Sequence, residues 1–533
     1  MTASTAPTAS TGPTGAPATS TAPAVSSSSR SEHDVVVIGA GLAGLSTAAL
    51  LAAAGFDVAL LERNSFVGGY AQSFERDGLR FDPAVHFTLD AGPGGYIPRL
   101  LDHLTVADRV DFVATPEMYR AYYPDRVLDA PAGREEYLAS LCAAFPASAA
   151  GLRELFATRA AAFEQLSALP QKVGTGGLEA ALAAAPLVFE YRMSTLGDVV
   201  NSFVDDPVCV AAFGSFWPYI GLPPSEVSFL LANQMLETMH RGTYYARGTF
   251  GTLADALGEA VTRHGGVIHH DTPVESVVAD DSGVLVGTAG GAGLRARAVV
   301  GAIDARTMLG DLIGWDRLPP ALRKRVDRMS LAPSAIVTFG TLNADPTALG
   351  LASETLVFDT TDHDATRAAI RSGTPGGTWI SVPTLVDPPA AGEPHRATIT
   401  SLVPAVADGT WSDRKEAVSA EILASVERHL PGFEAAFTPV EIATPDTLYR
   451  YSGNTGGATY GWANSPQQTA SKRLPHRPGL PGVYLAGHWV EEGFSSLRTL
   501  TSGRATAALV AADLGKPEAI PDFGGPSFLR SDR

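Results

Sequence analysis

Asp34-Val35-Val36-Val37-Ile38-Gly39-Ala40-Gly41-Leu42-Ala43-Gly44, followed by a small-residue stretch to Ala54 and then Asp57-Val58-Ala59-Leu60-Leu61-Glu62, decides the fold of this chain. The β-branched run 35–38 has the unbroken apolar character of a parallel strand buried on both faces. Gly39, Gly41 and Gly44 satisfy G-x-G-x-x-G where that strand turns into a helix. In such a unit the glycines allow a tight turn, close approach of backbone to a pyrophosphate, and close packing of helix on strand. The helix N-terminus offers free N–H groups and partial positive charge to phosphate. Glu62 ends the second strand 18 residues beyond Gly44, placed to accept hydrogen bonds from a ribose diol. An acid there would repel a 2′-phosphate, which argues against NADP.

Working outward, Arg63 to Tyr70 form a loop hinged on Gly68 and Gly69, and 78–83 read as a strand and turn. From 119 to 236 the pattern is mostly helical, with Leu and Phe at three- and four-residue spacing. A second block begins at 245–251, followed by a helix closed by Gly265-Gly266 and by strands at 267–269, 274–278, 284–286 and 295–300, the last two flanking a glycine-rich turn. Alternating strands and one helix fill 319–474. Gly482-Val483-Tyr484-Leu485-Ala486-Gly487 then leads through a polar loop to a last small-residue helix, another strand–glycine–helix junction aimed at a ligand.

The expected fold class is α/β, with a Rossmann-type nucleotide-binding domain built from discontinuous segments and interleaved with a mixed-sheet plus helical substrate domain. Its expected parts are a disordered tail at 1–31, nucleotide-binding segments at 32–118, 245–318 and 475–515, a helical insert at 119–244, a substrate sheet at 319–474, and a C-terminal tail at 516–533. The tail at 1–31 is almost wholly Thr, Ala, Ser, Pro and Gly, too poor in apolar surface to offset its ordering entropy. It lacks the basic and apolar regions of a secretory signal.

The 533 residues are 45% hydrophobic and 18% charged, the composition of a globular chain long enough for two domains. A net charge of −17 argues against nucleic acid and against electrostatic docking on anionic lipid. Two cysteines suit a reducing cytoplasm. No metal site is expected: His269 and His270 have one acid beside them, Asp271, and neighbours on a strand face opposite ways.

Taken in order, the opening fingerprint, the Glu62-Arg63…Gly68-Gly69 loop, the 245–251 block and the Leu485-Ala486-Gly487 junction resemble the FAD-dependent phytoene desaturase, carotenoid isomerase and retinol saturase superfamily, with flavin amine oxidases as more distant relatives. The likeness runs from about 33 to 515. It implies FAD as cofactor, with Gly39, Gly41 and Gly44 facing the pyrophosphate and Glu62 the adenosine ribose. Arg63, Gly68 and Gly69 would lie along the cofactor, the Val274 backbone at adenine, and Gly487, Ser496 and Leu497 against the flavin. His488 stands where the family has an Asp for a ribityl hydroxyl, and Arg498 follows a run in which the family's Gly-x-Gly is Gly493-Phe494-Ser495. The stretch Phe81-Asp82-Pro83-Ala84-Val85-His86-Phe87 is similar to the saturase-like branch.

The resemblance implies an oxidoreductase that desaturates or saturates carbon–carbon bonds of a long apolar, polyene or isoprenoid-like substrate, with an apolar small molecule as its partner. A redox-neutral polyene cis–trans isomerase is the alternative; an amine oxidase and a non-catalytic prenyl- or lipid-binding protein stand behind it. Such a substrate is compatible with peripheral membrane contact, with residues 227–236 either an entrance or an internal helix. His86, Tyr460 and Arg498 are the expected catalytic side chains, with Trp462, Glu491 and Glu492 as further candidates. Tyr460 and Trp462 are expected to wall the substrate channel.

Overall fold

The computed structural model describes residues 32–523 except 174–176, 281 and 292, so the expected tail at 1–31 lies outside the described residues, as do 524–533. The first strand, Glu32–Ile38, pairs in parallel with Val58–Leu61 on one side and Gly293–Gly301 on the other. Both faces are covered, and residue parity divides it. Val35 and Val37 enter the core shared with the flanking helices, while Val36 and Ile38 enter a second apolar cluster on the opposite face. Double-sided burial is why the run is unbroken rather than alternating. Val267–His269 extends one edge in parallel, and the antiparallel strands Gly283–Thr288 and Val274–Asp280 form the other. Val483–Leu485 pairs in parallel with the end of Gly293–Gly301. One seven-stranded sheet thus gathers strands from three separated stretches of chain.

The helices Leu42–Ala53 and Ser496–Asp513 meet through small residues. A Cβ on Gly503 would lie 2.0 Å from Ser46 Oγ and 2.6 Å from the Ala43 carbonyl oxygen, so only glycine allows this approach. The Thr47 hydroxyl bonds both the Ala43 and Gly503 carbonyls, at 2.7 and 3.1 Å.

A second seven-stranded sheet runs in the order Phe437–Ala443, Ser334–Leu342, His395–Val403, Gly376–Ser381, Glu354–Val357, Glu117–Tyr123, Arg126–Pro131. It is antiparallel except where Glu354–Val357 pairs in parallel with Glu117–Tyr123. Parity again separates two faces. Ile336, Ile380 and Ile399 pack in the cluster that includes residues of the helix Lys415–His429, whereas their neighbours Val337, Trp379 and Thr400 line a cavity.

Two features differ from the sequence expectation, and the 227–236 stretch takes the internal-helix alternative. The stretch beginning at 119 is not helical at its start: Glu117–Tyr123 and Arg126–Pro131 form a hairpin around Pro124-Asp125 and join the second sheet. The aromatic, alternating run Met118 to Tyr123 suits a strand, and helical periodicity begins only at Arg134. Within the expected C-terminal tail Ile520 and Phe523 are buried, the Phe523 ring lying 5.8 Å from Tyr96 and 5.4 Å from His103. The 227–236 stretch contributes to the helix Phe229–Met239, whose Phe229, Leu231 and Leu236 are core while Met235 reaches the cavity. Among the described residues no helix is long and apolar enough to cross a membrane.

Candidate active site

A cavity of about 480 Å³ runs from the glycine turn after the first strand to the inner face of the second sheet. At its first end, Gly39 takes φ +95°, and a Cβ there would lie 2.5 Å from Ile303 Cγ2. At Gly41 a Cβ would meet nothing within 4 Å, so it would project into the open cradle. Gly44 does not line the cavity. Its Cβ would fall 1.9 Å from the Gly39 carbonyl oxygen, so it serves the close packing of helix on turn. The helix Leu42–Ala53 begins with no side-chain cap, leaving its first N–H groups to a ligand. The second glycine loop lies against the first: Gly68 donates its N–H to the Ala40 carbonyl at 2.8 Å, and a Cβ on Gly69 would stand 3.1 Å from Gly41 Cα.

Glu62 is held where it is by the loops around it. Its Oε2 accepts from the Ala40 N–H at 2.8 Å, and its Oε1 from the Asn64 backbone and side-chain N–H groups at 2.9 and 2.8 Å. Val274 lines the cavity nearby. Arg63 lines it too, but its guanidinium donates to the Tyr449 and Arg450 carbonyls at the end of the helix Pro445–Ser452. Asp304, buried on the cavity wall, accepts from the Arg306 and Thr307 N–H groups and from the Thr455 N–H at 2.7 Å, and burial raises its pKa.

Gly487, His488 and Ser496 come to the same cavity from the far end of the chain. Gly487 has φ +104° and donates its N–H to Ser502. The Ser496 and Thr88 hydroxyls bond at 2.7 Å. Burial and the nearby Arg473 cation push the His488 imidazole down to about 3, so it is neutral near pH 7. Leu497 departs from the expectation, its side chain being in the hydrophobic core rather than at the cavity.

Among the three expected catalytic side chains, two line the cavity. His86 Nδ1 stands 2.9 Å from Glu354 Oε2, with side chains 20% and 5% exposed, and the ring is packed by Phe87, Tyr219 and Trp379 at 4.7, 5.2 and 5.5 Å. Tyr460 is a wall: its hydroxyl donates to the Pro218 carbonyl at 2.9 Å and burial raises its pKa. Arg498 is a correction. It does not line the cavity, because its guanidinium turns to the Glu492 carbonyl at 2.7 Å and to the Gln234 amide. Trp462 and Glu492 also lie away from it, Trp462 fully buried and Glu492 paired with His476 at 2.9 Å. Among the described residues no lysine lines the cavity; the Lys472 ammonium is bound to the Arg192 and Pro466 carbonyls.

Sequence reasoning missed Glu354, Ser381 and Trp379. Ser381 donates to the same Glu354 oxygen at 3.0 Å and Tyr219 does so at 3.3 Å. The available signal was an acid opening the short strand Glu354–Val357, whose other residues are Thr, Leu and Val.

Residues 42–511 match the model of the flavin-containing amine oxidoreductase family. The chain belongs to that family. Its cofactor is FAD, and it is an enzyme of the flavin oxidoreductase type. It is 26% identical over 520 residues to a chloroplastic prolycopene isomerase of Daucus carota, covering 92% of this chain and 82% of that protein. To a carotenoid 3,4-desaturase of Haloarcula japonica it is 25% identical, over 91% of this chain and 100% of the other. An oxidoreductase structure from Methanosarcina mazei shares the fold, with TM-score 0.59 at 18% identity, over 91% of this chain and 100% of that one. The cleft fits the cofactor on its own terms: an open glycine cradle, an uncapped helix N-terminus and an oriented carboxylate lie along one continuous cavity.

Proposed function

We propose that this enzyme acts on carbon–carbon double bonds of a long apolar polyene, desaturating or saturating it. The supporting observation is the shape and chemistry of the cavity, which continues from the glycine cradle into a chamber walled by Phe87, Tyr219, Met235, Val337 and Trp379. Such a lining matches an apolar chain, which gains about 25 cal/mol for each Å² it withdraws from water. In this reading Gly39, Gly41 and the N-terminus of Leu42–Ala53 hold the pyrophosphate, with Glu62 at the ribose. Gly68, Gly69 and Val274 flank the adenosine half, with Gly487, His488 and Ser496 at the flavin.

Bound flavin supplies hydride transfer, the chemistry no side chain provides. The protein's own residues do the rest. Tyr460 and Trp379 wall the chain, the apolar chamber excludes water, and His86 handles the proton. The likeness to the Daucus carota isomerase favours a second reading, polyene cis–trans isomerisation without net redox change. An amine oxidase reading is disfavoured by the absence of a lysine from the lining among the described residues.

Anaerobic incubation of the holoenzyme, oxidised and then reduced, with phytoene, prolycopene, lycopene and all-trans-retinol tests the reading. A product differing by two hydrogens supports desaturation or saturation, and an altered double-bond geometry at unchanged mass supports isomerisation. Turnover of amines with none of the polyenes overturns both.

A further inference from the structure

The most unusual chemistry outside the glycine cradle is the buried carboxylate behind His86. A carboxylate at 5% exposure costs several kcal/mol to desolvate unless its oxygens are bonded. Here a single oxygen, Glu354 Oε2, is the meeting point of three groups from three parts of the chain: His86 Nδ1 at 2.9 Å, the Ser381 hydroxyl at 3.0 Å and the Tyr219 hydroxyl at 3.3 Å. An ionised carboxylate only accepts, so the two hydroxyls and the imidazole must all donate. Burial and the Glu354 carboxylate raise the Tyr219 pKa, which keeps that hydroxyl a donor. A proton on Nδ1 of a neutral imidazole leaves Nε2 as a bare acceptor. Among the described residues Nε2 has no protein partner, and the ring lines the cavity.

We propose that Glu354 is a positioning residue that fixes the tautomer and plane of His86, so that Nε2 exchanges a proton with the polyene. This rests on the polyene reading above. In the desaturating direction a substrate C–H bond breaks, its proton passes to Nε2 and its electron pair stays in the new double bond. The hydride from the adjacent carbon goes to the oxidised flavin, so substrate is oxidised and cofactor reduced. The imidazolium that forms keeps its Nδ1–H on Glu354, whose negative charge stabilises it. Saturation runs the same steps backwards. Phe87, Tyr219 and Trp379 hold the ring from its sides, and the carboxylate settles which nitrogen faces the substrate.

The test begins with ring-nitrogen NMR on protein carrying ¹⁵N-labelled histidine, at mildly alkaline pH, with the His86 signals assigned by their loss in H86N. The proposal expects a protonated Nδ1 and a bare Nε2 in the wild type and a mixed or reversed tautomer in E354Q. A wild-type Nε2–H tautomer, or an E354Q spectrum identical to wild type, overturns it. This readout needs neither substrate nor activity, so it decides the pairing even if none of the polyene probes is turned over.

With any polyene that is turned over, E354Q should lose about tenfold or more in kcat with KM little changed, E354D should recover part of the loss, and H86N/E354Q should be no slower than H86N alone. Multiplicative losses in the double variant, with FAD absorbance intact, would assign Glu354 a packing role and sink the proposal. Should E354Q fail to fold, the wild-type tautomer and E354D carry the same decision.

Discussion

The two sheets do different work with different parts of the chain. Around the sheet that begins with Glu32–Ile38 the cleft is built from backbone: a glycine that opens a cradle, another that admits a helix, an uncapped helix end, and one carboxylate clamped by N–H groups. Around the second sheet it is built from side chains that meet only after folding, with His86, Tyr219, Glu354 and Ser381 sharing one oxygen across 295 residues of sequence. Backbone sites depend on the absence of atoms and tolerate almost no substitution. Side-chain sites depend on the presence of a few atoms and lose chemistry before they lose structure.

The hardest way to break the contrast is on the backbone side. Gly44→Val places carbon where the Gly39 carbonyl oxygen already lies, at 1.9 Å, and should abolish FAD binding and lower stability by about 3 kcal/mol or more. Flavin absorbance after desalting and thermal unfolding report it. Retained FAD would mean that helix and turn can separate without harm. On the side-chain side, His86→Asn should cost roughly 100-fold or more in kcat while FAD content and melting temperature stay near wild type.

Glu62→Gln sharpens the backbone side, because the amide keeps the shape but gives a donor where both oxygens now accept. FAD affinity should fall about tenfold, measured by titrating apoprotein. The smallest effect concerns Asp82, which accepts from the Tyr245 hydroxyl and the Phe250 N–H, each at 2.7 Å. Burial raises its pKa to about 6, above its unfolded value near 3.8. A raised carboxyl contributes stability that is present below pH 4 and is lost as pH rises through 6. The melting temperature of the wild type should therefore fall relative to Asp82→Asn between pH 4 and 7, by a few degrees. A constant difference would place the carboxyl's ionisation outside that window.

How legible each half was follows from the same contrast. Gly39, Gly41, Gly44 and Glu62 lie within 24 residues and carry fixed offsets, so the glycine-cradle end of the cleft could be read directly from local sequence. The double burial of 35–38 showed in its composition, and parity in the structure explains it. Glu354 could not be found that way, because its partner His86 is 268 residues distant and no motif surrounds Glu354 itself. Arg498 looked like a site residue because it follows the Gly493-Phe494-Ser495 run, but its place on the helix turns its side chain away from the cavity, toward Glu492 and Gln234. The hairpin at 117–131 was absorbed into a helical stretch because the Ala-rich sequence after it dominates the window.

The Thr47 hydroxyl reaches the Gly503 carbonyl across 456 residues, joining the helix Leu42–Ala53 to Ser496–Asp513. The first helix therefore lacks the partner that covers its small-residue face until the stretch Ser496–Asp513 has been made. A chain truncated before Ser496 is expected to expose the face of Leu42–Ala53 that Gly503 covers, around Ala43 and Ser46.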